Sequence, residues 1–581
     1  MHACSSIRRR LLLPSANSVH FRSYSLPLLP IGGASKPCSA SVSLARRSTF
    51  TVASSRNSPL RKASSFWTVT FALAVICGGV WLQDKRYHPK DDSPAPSTSQ
   101  NIQPEQEPFL GVIDTLKTMP TNLPPGTVGN LTAEQEAKLQ EFWVLLLKVF
   151  GVKLDALESA KEAPASTPQE NKKEPKRRFG LFGRGKDSED GAASEKSAEG
   201  ITTNLASINI SDGDDKYGQS KEFQQTLVDM SPEEIRTTFW TMVKQDNPDS
   251  LLLRFLRARK WDVKNALVMF ISTIRWRLMD VKVDDDIMKN GEQHALKQSQ
   301  STDPTEKKAG EDFLMQMRRG KSFLHGVDKS GRPICVVRVR LHKAGDQSSE
   351  VLDRFTVYTI ESARMMLAPP VETACIIFDM TDFSLANMDY SPVKFMIKCF
   401  EANYPESLGA VLIHKAPWIF SGIWNIIKGW LDPVVAGKVH FTKNVKDLEE
   451  FIPRDRIMKE LEGDENWEYK YVECEPDENK PMEDTATRDQ LLAERRELGK
   501  EIQDATISWI LASSKGDKDA VATAKDRRKD LIERLRAQYW QLDPYVRARS
   551  LYDRLNVIQG NGKIDFYSAE SMSKGNAASS Q

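Results

Sequence analysis

Cysteine is scarce in this chain: seven residues among 581, at positions 4, 38, 77, 335, 375, 399 and 474. They form no C-x-x-C pair and have no histidines at zinc spacing, which argues against a disulfide framework and a finger-type metal site. Also missing are G-x-S-x-G, H-E-x-x-H, a Walker loop and a G-x-G-x-x-G following a strand. The glycines of "GLFGRG", at 180, 183 and 185, have the wrong spacing and lie in a polar tract. With no nucleophile and base in sight, the chain reads as a non-enzyme without a cofactor. An excess of one charge is lacking too. The 81 basic and 79 acidic residues leave +2, too even for a protein devoted to nucleic acid.

Acidic residues are absent before Asp84, while ten basic ones precede it in a serine-rich stretch. Residues 1–65 therefore read as a mitochondrial targeting leader, since a secretory signal would place its apolar run nearer the start. A plain basic tail is the alternative. The run "FWTVTFALAVICGGVWL", residues 66–82, is 17 uncharged residues long. As a helix it would span about 25 Å, the short limit for a bilayer, with Trp67 and Trp81 at interfacial depth. A membrane anchor is expected there, against the alternative of a buried core helix. Together these segments imply a mitochondrial membrane protein. Translation from Met119 would give instead a cytosolic protein, peripheral at endomembranes.

Residues 83–121 form a Pro/Ser/Gln linker. Residues 151–230 form a longer polar insertion, expected to be disordered. Its basic run with Phe179 and Phe182 either is solvated or touches anionic lipid. Between them, 122–150 holds a helix: Thr132 and Gln135 have the form of a capping box. Helical patterns return over 231–290. Within 310–475 short β-rich runs appear at 334–341, 374–380, 409–415 and 438–442, separated by helical stretches at 350–367, 391–401 and 418–431. Strands alternating with helices predict an α/β fold, a largely parallel sheet covered by helices, behind an all-helical N-terminal subdomain. Residues 485–556 are charged and helical, with Leu498, Ile502 and Ile510 on an apolar face that should pack on the domain. The tail, 557–581, is expected to be disordered.

Three charges sit where burial is expected. Arg259 continues the stripe Leu252, Phe255, Leu256 at i+7, while Arg254 and Arg257 point elsewhere. Glu406 precedes a buried strand, and Lys438 enters the last one. Each must reach water or find a partner, and Glu406 could simply pair with Arg259. Strand ends of open α/β sheets are also where polar ligand groups are received.

The segments "GTVGNLTAEQEAKL", "LLRFLRARKWDVKNA", "DKSGRPI", "YPESLG" and "WLDPVVAGKV" together resemble the CRAL-TRIO lipid-binding family, in its fungal phosphatidylinositol-transfer branch. The resemblance implies that Arg259, Lys260, Glu406 and Lys438 line an inositol phosphate site. It also implies that 418–431, with Trp418 and Phe420 among its residues, is a mobile gate; Ile419, Ile423, Ile426, Ile427 and Trp430 make one stripe that would close over acyl chains, with Trp424 outside it, and the alternative is a packed core helix. In relatives that carry phosphatidylcholine, two hydroxyl residues hold its phosphate; here those positions are Ala374 and Ile376. The implied function is gated phosphatidylinositol transfer with weak or no phosphatidylcholine transfer. A sterol or other neutral lipid is a possible second ligand. The alternative is a tethered lipid sensor that presents lipid to a kinase or scaffold.

Overall fold

The computed structural model describes residues 123–154, Leu205, Ile208 and 215–568. The leader, the apolar run 66–82, the linker to residue 121 and the "GLFGRG" stretch lie outside the described residues. Among those described, no helix is long and apolar enough to cross a membrane.

The N-terminal subdomain is helical, as expected. Helix α1 (Ala133–Val149) starts at the anticipated capping box: Gln135 N–H donates to Thr132 Oγ1 at 3.2 Å and Thr132 N–H to Gln135 Oε1 at 3.0 Å. Helices α2 (Gln219–Asp229), α3 (Pro232–Val243), α4 (Pro248–Ala258) and α5 (Val263–Arg275) complete it. Their shared core holds Phe142, Trp143, Phe239, Phe255 and Phe270, which meet edge to face.

Helix α2 corrects the expectation that all of 151–230 is disordered. Its sequence, "QSKEFQQTLVD", is mostly polar, yet Phe223 and Thr226 are fully buried and Leu205 belongs to the same core. One aromatic placed against α5 anchors a segment whose composition alone predicts solvent.

After α6 (Lys289–Ser299) and α7 (Pro304–Arg318) comes a five-stranded sheet in sequential order. Strand β1 (Ser322–Val327) runs antiparallel to β2 (Pro333–Arg338). The remaining neighbours, β3 (Ala374–Asp379), β4 (Leu408–His414) and β5 (Val439–Thr442), are parallel. Crossovers are made by α8 (Ser349–Met365), α9 (Tyr390–Lys398), and α10 (Phe420–Lys428) with α11 (Pro433–Ala436). The largely parallel α/β fold was thus legible, whereas β1 was not. Its four central residues are buried on both faces, so "SFLHGV" shows no alternation to read.

The short helix α12 (Val445–Leu448) follows the sheet, and beyond residue 484 the long helices α13 (Thr485–Lys515) and α14 (Lys518–Val546) form a hairpin. Leu498, Ile502, Trp509 and Leu535 join the N-terminal core. Arg528 forks onto Asp249 at 2.8 and 2.7 Å, and Trp143 donates to the same carboxylate at 2.7 Å. After α15 (Leu551–Arg554) the chain stays ordered through residue 568, which corrects the expectation of a disordered tail from 557. Val557, Ile558 and Phe566 are buried, and the Tyr552 and Tyr567 hydroxyls accept from Leu324 and Val327 N–H of β1. An open sheet edge exposes unpaired backbone donors, and this segment covers them.

Candidate functional site

Alternate residues of the parallel strands point to one face of the sheet. Ile376 and Phe378 of β3 and Val411 and Ile413 of β4 share a wall there. Helices α8, α9 and α10 close over them, leaving a cavity of about 250 Å³. Cys335 lines it too, and burial pushes its thiol up to about 11, so the sulfur is neutral and unreactive.

The cover helix α10 is shorter than the expected 418–431, and its stripe is rotated. Phe420, Ile423 and Ile427 are buried, and Phe420, Trp424 and Ile427 line the cavity. Trp424, expected outside, faces inward and meets Phe441 edge-on at 5.3 Å. Ile426, expected on the stripe, is instead 48% exposed, and Trp418, expected in the gate helix, precedes it and is 87% exposed. Ile419 is the N-cap, and Trp430 meets Tyr390 edge-on at 5.4 Å beyond the helix end. Ile423 and Ile427 are on the buried face as expected; the stripe extends from them to Phe420 and Trp424 on one side of the helix rather than to Ile419 and Ile426 on the other. Ala374 also falls outside the cavity wall; it starts β3, where its N–H donates to Ser407 O at 2.9 Å, whereas Ile376 is part of the wall.

Glu406 and Lys438 meet. Lys438 Nζ donates to Glu406 Oε2 at 3.1 Å, both side chains being about one-quarter exposed. The pair forms because β4 and β5 are parallel neighbours whose N-terminal ends lie side by side, with Val411 N–H bonded to Lys438 O. Leu408 and Val439, the adjoining strand residues, line the cavity, so the pair flanks its wall. Glu406 has φ of 51°. A non-glycine residue in this region costs about 1–2 kcal/mol, and such strain collects at functional positions.

Arg259 does not reach Glu406. Helix α4 ends before it, with φ −112° and ψ 26° at Arg259, so extrapolating the apolar stripe by i+7 fails there. Arg254 occupies the buried side instead and pairs with Asp246 at 2.7 Å, while Arg257 pairs with Glu372. Arg259 Nη2 donates to Gln219 Oε1 at 2.6 Å, and Gln219 Nε2 donates to Ala402 O at 3.4 Å. The arginine thus touches the segment leading to Glu406 through one residue of α2. Lys260 is exposed, with φ of 50°.

A strap ties α2 to the end of the cover helix. Lys216 Nζ donates to Trp430 O at 2.5 Å and to Glu401 Oε2 at 2.7 Å. Tyr217 Oη donates to Glu401 Oε2 at 2.6 Å, and Asp432 N–H to Glu401 Oε1 at 2.7 Å. No signal in the sequence marks Lys216, Tyr217, Gln219 or Glu401, because their partners lie about 180 or more residues away.

Comparison with known proteins fits this geometry. Residues 317–463 match the model of the CRAL/TRIO domain and 219–272 that of its N-terminal domain. A CRAL-TRIO domain-containing protein of Schizosaccharomyces pombe is 41% identical over 74% of this chain and 92% of its own length. The chain belongs to the CRAL-TRIO family. Phosphatidylinositol transfer protein CSR1 of Eremothecium gossypii is 40% identical, over 74% of this chain and 97% of that protein. The Sec14 cytosolic factor of S. pombe is 30% identical over 42% of this chain and 84% of its own length. The N-terminal match opens at Gln219, the residue that holds Arg259, so α2 is part of the CRAL-TRIO fold rather than of the insertion.

Proposed function

We propose that this protein carries phosphatidylinositol between membranes, shielding the acyl chains in the apolar cavity and making or breaking no bond. The observation that carries the reading is the Glu406–Lys438 pair set beside the apolar part of the wall formed by Leu408 and Val439. The name of the Eremothecium relative supports it. Lys438, with Arg259 and Lys260, supplies cations for a phosphodiester, and Glu406 accepts from inositol hydroxyls. A cavity of about 250 Å³ is below the roughly 300–1,000 Å³ usual for ligand sites. A two-chain lipid therefore requires α10 to swing outward. Trp418, Ile426, Val434 and Phe441, exposed on or near this helix, offer an apolar surface to a bilayer at which it opens.

Opening must break the strap. Lys216→Met removes both bonds to Trp430 and Glu401 and is expected to speed phosphatidylinositol exchange between liposomes several-fold. An unchanged rate would show that the strap does not hold the gate.

Selectivity follows from the wall. Ile376 cannot donate a hydrogen bond to a buried phosphate, and an anionic phosphodiester buried without partners costs more than the roughly 2–7 kcal/mol of a neutral polar group. A paired liposome assay with labelled phosphatidylinositol and phosphatidylcholine should give transfer of the first and little of the second. Ile376→Thr with Ala374→Ser should raise only the second. Comparable transfer of both lipids by the unmodified protein would remove the selectivity claim.

A further inference from the structure

The cavity has a polar end that the inositol reading leaves unused. Lys321 stands just before β1, its backbone held on both sides: its N–H donates to Gln316 O at 3.0 Å and its carbonyl accepts from Arg338 N–H at 2.9 Å. The side chain lines the cavity, and the residue is 6% exposed. An ammonium has three donors. Lys321 Nζ gives one to Gln347 Oε1 at 3.0 Å, a neutral acceptor, and among the described residues no carboxylate lies within 4 Å of it. Burial pushes it down to about 8, an effect that Asp346 and Asp389 oppose and Arg319 reinforces, so it remains charged at neutral pH.

His342 lines the same end. Its Nε2 is buried and has no hydrogen-bond partner among the described residues; Asp389 Oδ2 lies 3.5 Å away, with its other oxygen accepting from Ser391 N–H at 3.0 Å. Burial and the nearby Lys321 push the imidazole down, so the ring is neutral. The cluster therefore presents a buried cation with unused donors beside a neutral ring whose Nε2 lies 3.5 Å from the Asp389 carboxylate, at one end of an apolar chamber. Such a cation is expensive to bury unless an anionic oxygen meets it.

We propose that this end binds the anionic head of a single-chain amphiphile, a fatty-acid carboxylate or a lysophospholipid phosphate, entering head first. The chain then runs along Val337 and Phe378 toward Phe420 and Trp424 of the gate. Lys321 sits beside β1 at the C-terminal end of β2, and the Glu406–Lys438 pair at the N-terminal ends of β4 and β5. These are opposite corners of the sheet: three to four strand spacings of about 4.8 Å separate them across it, and the length of the strands adds to that along it, so one head group cannot occupy both. A neutral sterol would offer Lys321 only a hydroxyl. The inference uses the same cavity as the inositol reading but none of its head-group residues.

The test measures binding of oleate, oleoyl lysophosphatidate, methyl oleate, oleyl alcohol and cholesterol to the lipid-stripped full-length protein, without phosphatidylinositol present. Oleate or the lysophosphatidate should bind at least tenfold more tightly than the ester and the alcohol, and the better of the two names the head group. Lys321→Met should abolish that preference while methyl oleate still binds, and Lys321→Arg should keep it. Should the methionine variant fail to fold, the ranking on the unmodified protein decides. Equal binding of oleate and methyl oleate, or tightest binding of cholesterol, would overturn the proposal. So would an anion preference that survives in Lys321→Met. Because no inositol lipid is used, failure of the inositol assignment is read separately, in transfer assays on Glu406 and Lys438.

Discussion

Glu361→Ala is expected to be the most damaging single substitution in this protein. Glu361 lies in the crossover helix α8 and is fully buried. It accepts from Arg277 Nη1 at 2.8 Å, Arg364 Nη1 at 3.0 Å, Lys244 Nζ at 3.1 Å and Tyr404 Oη at 2.8 Å. Asp284 is the second carboxylate of the cluster, 2.7 Å from Lys244 and 2.5 Å from Arg277. Truncating Glu361 leaves Arg277 and Lys244 with Asp284 and takes from Arg364 its carboxylate partner, and breaking a buried pair in this way costs about 3–5 kcal/mol. That is a large part of the roughly 5–15 kcal/mol by which domains are stable. Lys244 follows α3 and Arg277 follows α5, so the loss falls on the joint between the helical subdomain and the sheet. Insoluble protein, or a much reduced urea midpoint, is expected; a midpoint like that of the unmodified chain would show the cluster to be dispensable.

The same cluster sets the acid limit of the fold. Burial alone would raise Glu361, but Arg277, Arg364 and Lys244 outweigh it and hold the carboxyl well below its usual range; Asp284 is lowered likewise against its own burial. Groups depressed in the folded state stabilise it fully above their unfolded values, near 4. The stabilisation is lost as pH falls through that value toward the folded one. Urea midpoints should therefore be steady near neutrality and drop below about pH 4.

The second large effect concerns the head-group pair. Glu406→Ala and Lys438→Ala are each expected to reduce phosphatidylinositol loading at least tenfold. A charge-assisted hydrogen bond in such a site contributes about 1.5–3 kcal/mol, and about 1.4 kcal/mol is a factor of ten. Because Glu406 has φ of 51°, Glu406→Gly relieves backbone strain while deleting the carboxylate. That variant should lose loading without loss of thermal stability, separating a binding defect from a folding one. Normal inositol-lipid transfer by Glu406→Ala and Lys438→Ala together would end the assignment.

Much of the architecture was legible from local pattern. Strand–helix alternation after residue 320, the capping box at Thr132 and the apolar face of the C-terminal helices depend on neighbours within a few residues, and the structure places them as read. Local pattern misled where an element's end had to be extrapolated. At Arg259 the helix stops, so Arg254 faces inward instead, and on the cover helix the buried stripe widens from Ile423 and Ile427 toward Trp424 rather than Ile426. It also misled where a few apolar residues dock a polar segment, as Phe223 does for α2 and Phe566 for the tail.

What the sequence determined by itself was therefore the kind of fold, the family resemblance carried by its motifs, and the presence of charges at strand ends that need partners. Which charges meet was decided only in three dimensions. Glu406 and Lys438 are 32 residues apart and meet because β4 and β5 are parallel neighbours. Lys321 and His342 reach one end of the cavity because β1 turns back on β2, and Lys216 reaches Trp430 across 214 residues because α2 docks beside the gate. Pairings of that kind follow from sheet register and helix docking, which the summed burial of two hydrophobic cores selects and no short stretch of chain encodes.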